Sequence, residues 1–259
     1  MFPRSTLKRS EGAQAMLADC PRDSARPSRR RQTGRGRLAI RAPVIVLCSL
    51  FFGAAGRADA QDWKLVGNQH GIEIYRRDVP GSAVVAFKGQ GTIEAPLWKV
   101  ASILLDTRRA PEWADSLKES RVVKRLGLYA YIEYNHVGMP FILRDRDFVS
   151  EVSIEVNADA RTFALIYKPT DERIPPVTHF VRGEIRSGVF LVRSLAPGRS
   201  TLTAEIQCDP KGAIPTWIAN VFQRSWPVKT FEGIRLQAAK ETTAMPEEFK
   251  DVLAPTVRF

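Results

Sequence analysis

Apolar and polar residues follow two periods along the chain, and the switch between them marks the elements. Residues 71–77 (GIEIYRR) and 84–94 (VVAFKGQGTIE) alternate with a period of two around a Pro80-Gly81 turn, as strands with one buried face do. The period then changes. Leu97, Val100, Ile103 and Leu104 recur at helical spacing behind Pro96, which suits a first helical turn, so a helix is predicted over 96–106. PEWADS at 111–116 continues it as an irregular turn. From Leu117 the period of two returns and predicts strands at 119–125, 129–137, 145–157, 161–168, 179–186, 189–194 and 201–209, separated by short polar or Gly/Pro breaks, the pattern of an antiparallel meander. The last element, 214–242, carries Trp217, Ile218, Val221, Phe222, Val228, Phe231, Ile234 and Leu236 near helical spacing, with Pro227 expected to kink it.

This order predicts an α+β fold in which one curved antiparallel sheet is closed by a long C-terminal helix around an internal cavity. A strongly curved sheet cannot be filled by its own side chains, so a helix across its concave face leaves a space suited to apolar ligands. The domain is expected over 61–242, with 243–259 as a C-terminal tail; no internal repeat or low-complexity linker interrupts it.

Composition changes the picture once the N-terminus is set apart. The whole chain carries a formal charge of +11, which taken alone suggests nucleic acid. Residues 1–60 hold 12 of the 39 basic and 4 of the 28 acidic residues, so the body is left with 27 and 24 and a charge near +3. Nucleic acid is therefore not an expected partner. Arg35, Arg37 and Arg41 precede the apolar run APVIVLCSLFFG (42–53) and an Ala58-Asp59-Ala60 site, the layout of a secretory signal peptide over 35–60. The run is shorter than the roughly 20 residues a spanning helix needs. Residues 1–34, polar and Arg-rich, read as a disordered leader or a misplaced start. The expectation is an exported, periplasmic or secreted protein. Cys20 and Cys48 fall in the leader, so Cys208 is alone in the body: no internal disulfide and no cysteine-based metal site is expected. Cys208 shares a strand face with Leu202, Ala204 and Ile206 and reads as a small buried side chain.

Two stretches carry the candidate site. If GMPF (138–141) is a tight hairpin turn, Glu133 faces Arg146 across it. Arg146 shares parity with Phe148, Val152, Ile154 and Val156, which turns it inward with Glu133, Tyr131 and Asn135, while Asp145 and Asp147 point outward. The expectation is a cavity wall of Glu133, Arg146, Tyr131, Asn135, Phe148 and Val152, with a charged pair that satisfies itself or meets a ligand polar group. A one-residue slip would reverse the faces. In the second stretch, Gly212 and Pro215 set the starting angle of the last helix, and Trp217, Ile218, Val221 and Phe222 form its cavity-facing stripe. Trp226 is placed at a membrane interface during ligand uptake.

In order along the chain, Trp63, Gly71-Ile72, Tyr75, Gly91-Thr92-Ile93, Asp106, Trp113, RDRDFV (144–149) and the run Lys211-Gly212-x-Ile214-Pro215-x-Trp217-Ile218-x-Asn220 resemble the START domain, the steroidogenic acute regulatory protein-related lipid-transfer family. The resemblance covers 62–241. It implies a helix-grip fold, one lipid in an enclosed tunnel, no cofactor and no turnover, with entry gated by the final helix and a loop, here 169–177. It further implies transient contact with a membrane surface and a monomer. Sterol-binding members resemble the chain at Glu133 but tend to carry a basic residue where this sequence has Val152, a departure that counts against sterol specificity. The competing class is a helix-grip enzyme of the cyclase or aromatase kind, whose acid or base would come from Glu133, His136, His179 or Tyr131; a ligand-free interaction module is the third reading. His70, His136 and His179 show no metal-ligand spacing, and no nucleophile or phosphate-loop motif is present, so neither catalytic residues nor a metal are assigned.

Overall fold

The computed structural model describes residues 63–139 and 143–258. The leader and signal segment expected over 1–60, and Pro140 and Phe141 of the expected GMPF turn, lie outside the described residues. Among the described residues are β1 (Lys64–Gln69), β2 (Ile72–Arg77), β3 (Ala86–Ile93), α1 (Leu97–Leu105), β4 (Leu117–Arg125), β5 (Ala130–Val137), β6 (Arg146–Asn157), β7 (Thr162–Lys168), β8 (Val181–Arg182), β9 (Glu184–Ala196), β10 (Arg199–Asp209), α2 (Thr216–Ala239) and α3 (Lys250–Leu253). The strands form one sheet in the order β1-β2-β3-β10-β9-β7-β6-β5-β4, antiparallel throughout, with β8 added parallel beside β6.

Most elements fall where the periodicity puts them. The strands expected at 179–186 and 189–194 differ: they form the two-residue β8 and one long β9. Ser187-Gly188 reads as a break, yet Gly188 continues the strand because a Cβ there would stand 3.2 Å from the Tyr167 Cβ. Its missing side chain makes room for a ring. β1 has no apolar alternation, its residues being half-buried or exposed, so nothing in its pattern announces it.

Alternation gives the sheet one apolar face. Ile72, Ile74, Phe87, Leu202, Ala204, Val192, Phe163, Leu165, Val152, Ile154 and Tyr131 are buried on it, and α1 adds Leu97, Val100, Ile103 and Leu105. The seat of α2 is cut by two glycines. A Cβ on Gly89 would lie 2.7 Å from the Pro227 Cβ, and one on Gly91 would lie 3.0 Å from the Phe231 ring. The helix therefore lies close on β3 and runs on through Pro227 to Ala239. Its buried apolar residues include Ala219, Val228, Phe231, Ile234 and Ala238, whereas Trp217 and Val221 stand exposed at 68 % and 60 %.

Residues 243–258, placed outside the domain by their sequence, contribute to its core. The Thr243 hydroxyl donates to the Gln237 carbonyl at 2.9 Å and turns the chain back at the end of α2. A 3₁₀ turn (Glu247–Phe249) and α3 then bury Phe249, Val252 and Leu253. The register divides the concave face in two. Rows through Ile154, Leu165, Phe163 and Val192 are filled, while rows through Glu133, Asn135, Phe148 and Tyr167 border an open space.

Candidate ligand cavity

The RDRDFV stretch ties three loops together, and that joint sets the cavity's shape. The hairpin between β5 and β6 is looser than a two-residue turn: Val137 pairs with Arg146 and Glu133 with Ser150. The expected pairing of Glu133 with Arg146 is thus off by four residues. The reason lies in Asp145, which leaves the ladder to accept from the Met139 amide at 2.9 Å and to bind His136 Nε2 at 2.8 Å. These bonds hold the Asp145 carboxyl below the usual carboxylate range. An even offset preserves parity, so Glu133 and Arg146 do share the concave face without meeting.

Arg146 is buried but does not line the cavity. Its guanidinium donates to the carbonyls of Arg144, Pro210 and Lys211, the last two at 3.3 Å. It thereby anchors the approach to α2. Gly212, at φ +69°, permits this: a Cβ there would stand 3.4 Å from Arg146 Nη2 and 3.3 Å from Val181. Asp147 points away from the cavity as expected, yet it is fully buried because Arg182 of β8 closes over it with two bonds of 2.9 and 3.0 Å. The same guanidinium donates to Ile174 O at 3.1 Å, which clasps the expected gate loop 169–177. No residue of that loop lines the cavity.

The cavity holds about 270 Å³. Its walls are Glu133, Asn135 and Val137 of β5, Phe148 of β6, Tyr167 of β7, Gly188 and Phe190 of β9, Ile206 and Cys208 of β10, Thr107, Ala110, Trp113, Ala114, Asp115 and Ser116 of the turn after α1, and Gln223, Ser225, Trp226 and Thr230 of α2. Three expected wall residues, Glu133, Asn135 and Phe148, are among them; Tyr131 and Val152 are instead packed in the core. None of the expected lid and hinge residues whose side chains are described lines it. Trp217 and Val221 face solvent, Ile218 is half-buried, and the Phe222 side chain lies outside the described residues. Helix α2 is apolar on more than one side, and its seating on Gly89 and Gly91 decides which side faces in. Trp226, expected at a membrane interface, is half-buried in the cavity ceiling with its ring 5.9 Å from Phe190. Gln223, Trp113 and Tyr167 were missed; the wide spacing between the aromatic residues hid their convergence.

The lining is apolar with a few polar atoms. Glu133, only 4 % exposed, accepts from Asn135 Nδ2 at 2.7 Å and from Ser120. Burial pushes its carboxyl up to about 7 against the lowering effect of those bonds. Burial likewise drives the Tyr167 phenol well above its ordinary value, and the Cys208 thiol up to about 12. Buried Trp113 Nε1 and Gln223 Oε1 have no hydrogen-bond partner, an unspent donor and an unspent acceptor in the wall. Among the described lining residues there is no lysine, arginine or histidine. Of the acid-base candidates, His136 lies on the other face, stacked on Phe180, and His179 is exposed.

The START-domain family model matches residues 54–243 of this chain. The chain belongs to the START-domain family. An uncharacterised protein of Pseudomonas aeruginosa is 30 % identical over 197 residues, covering 76 % of this chain and 96 % of that one. Among solved structures, human StAR-related lipid transfer protein 5 superposes with a TM-score of 0.65 at 17 % identity, over 70 % of this chain and 88 % of its own. A STAR-related lipid transfer protein from Xanthomonas axonopodis gives 0.61 at 23 % identity, over 69 % and 99 %. The curved sheet gripped by α2 is thus the START fold, and the chain is a lipid-binding domain by family.

Proposed function

We propose that this START domain binds one lipid or similar amphipathic molecule in the cavity behind α2 and serves its transfer or sensing in the cell envelope, without catalysing a reaction. The observation that carries the reading is the apolar cavity itself, lined by Phe148, Phe190, Ile206 and Trp226 and holding unpartnered polar atoms on Trp113 and Gln223. A buried polar atom without a partner costs free energy that a ligand hydroxyl, acting as both donor and acceptor, would recover. With the carboxyls of Glu133, Asp115 and Glu205 in the wall and no basic side chain among the described lining residues, an uncharged or cationic polar end fits better than an anionic one. The wall residues proposed to touch ligand are Glu133, Asn135 and Phe148 from the strands, joined by Gln223 and Trp226.

Contact with a membrane surface is assigned to Trp217 and Val221, whose exposed side chains stand near the start of α2, close to the Arg146 anchor of its approach. Export follows from the signal-like segment 35–60. A monomer is the working state. Native mass spectrometry after incubation with a bacterial lipid extract tests the reading: a protein–lipid mass is expected, and apo mass alone would overturn it. A second reading, general acid–base chemistry, rests on the Glu133 carboxyl near neutrality in an apolar wall. Turnover of an extracted lipid that disappears in Glu133→Gln would establish that reading over the first.

A further inference from the structure

The segment 243–258 lies where the family match ends, and yet it supplies some of the most deeply buried side chains: Phe249 and Leu253 have no exposed surface and Val252 has almost none. Strand register shows where these side chains stand relative to the cavity. Glu133 and Tyr167 line it. Two residues back along β5, on the same face, comes Tyr131, which pairs with Val152, the partner in turn of Tyr167. Tyr131 is not in the lining; its ring packs against Phe249, with centroids 5.9 Å apart. Arg125 lies 4.3 Å above the Phe249 ring and within 3.9 Å of the Glu248 carboxylate, so the segment is also held from outside. The Tyr131 hydroxyl is buried with no hydrogen-bond partner. Packing, and not a hydrogen bond, therefore sets where this ring stands.

We propose that residues 243–258 are a length gauge for the ligand: Phe249, backed by Val252 and Leu253, holds Tyr131 as the packed layer directly behind the Glu133 and Tyr167 end of the cavity. A ligand that fills the cavity as far as Glu133 and Tyr167 is stopped by that layer. The volume of about 270 Å³ is on the scale of one acyl chain or one ring system. This inference rests on the lipid-binding reading above. Removing the Phe249 ring takes away the support behind Tyr131, which then swings outward and lengthens the space.

The test uses the full chain and 1-monoacylglycerols of increasing chain length, uncharged probes suited to a lining without basic side chains, with affinity read by displacement of a fluorescent fatty-alcohol probe. In the wild type, affinity should rise about fourfold per added methylene until the chain fills the cavity up to Glu133 and Tyr167, then stop rising. In Phe249→Ala the break should move to longer chains by about three methylenes, the room left by trimming a benzyl group to a methyl. Phe249→Leu, which keeps most of the core filled, should move it the same way by a smaller step and decides the matter if the alanine variant does not fold. A break at the same chain length in the folded variants would overturn the gauge while leaving lipid binding intact. Binding of no monoacylglycerol at any length by the wild type would overturn the lipid reading and the gauge with it.

Discussion

Replacing Glu133 by glutamine should erase a pH dependence of folding stability that the wild type carries. The carboxyl is 4 % exposed and titrates near 7 in the folded state, against 4.5 for an unperturbed glutamate. Below about 4.5 both folded and unfolded chains hold the proton, and the group favours neither. Between the two values the unfolded chain gives up its proton while the folded one keeps it, so stability falls as pH rises, and the loss is complete above the folded value. The gap is worth about 3 kcal/mol at roughly 1.4 kcal/mol per pH unit, or about 6–12 °C of melting temperature for a domain of this size. Urea unfolding of ligand-free protein, followed by tryptophan fluorescence at a series of pH values from 4 to 8, measures it. The two proteins should match at pH 4, and Glu133→Gln should be the more stable at pH 8. Parallel curves for the two proteins across the range would refute the reasoning, since they would mean that Glu133 is ionised and well solvated in the folded state.

Arg182→Met should strip buried Asp147 of its two-bond partner and cost about 3–5 kcal/mol, read as a lowered urea midpoint. Gly89→Val should lift α2 from β3 at a cost of about 1–3 kcal/mol, whereas Gly127→Ala, where a Cβ meets nothing within 4 Å, should leave the melting temperature unchanged. The double substitution Trp217→Glu and Val221→Glu should abolish binding to phospholipid vesicles in a flotation assay while shifting stability by less than about 0.5 kcal/mol, as surface changes do. With the thiol of Cys208 pushed up to about 12, iodoacetamide at pH 8 should label it about a thousandfold more slowly than a free cysteine in a chain whose Cys20 and Cys48 are serine.

Faces were legible in the sequence, and partners were not. Side chains alternate with a period of two, so an error of four residues in the β5–β6 register left Glu133, Asn135 and Phe148 on the cavity side all the same. The identity of the residue opposite Glu133 depended on the length of the loop, which Asp145 sets by reaching His136 and the Met139 amide. A side-chain bond of that kind leaves no mark in hydrophobic periodicity. The facing of the last helix was hidden for a related reason. Trp217 and Val221 and the buried Val228, Phe231 and Ile234 all sit at helical spacings, and the choice between the faces was made by the Gly89 and Gly91 notch on a strand far away in the sequence. For the tail a local signal existed, since Phe249, Val252 and Leu253 stand at i, i+3 and i+4.

What the sequence determined alone was local: strands and helices, the sidedness of each strand, the apolar character of the last helix, and the motif order that resembles the START family. These follow from backbone geometry, which repeats every two or 3.6 residues whatever lies elsewhere. Only the tertiary structure decided which groups are left unsatisfied, where the cavity begins and ends, and that Arg146 holds a hinge while burial in an apolar wall raises the Glu133 carboxyl. Those properties belong to pairs and triples of side chains brought together from distant segments, and their energies come from burial and dielectric surroundings that exist only once the sheet has curved and α2 has closed on it.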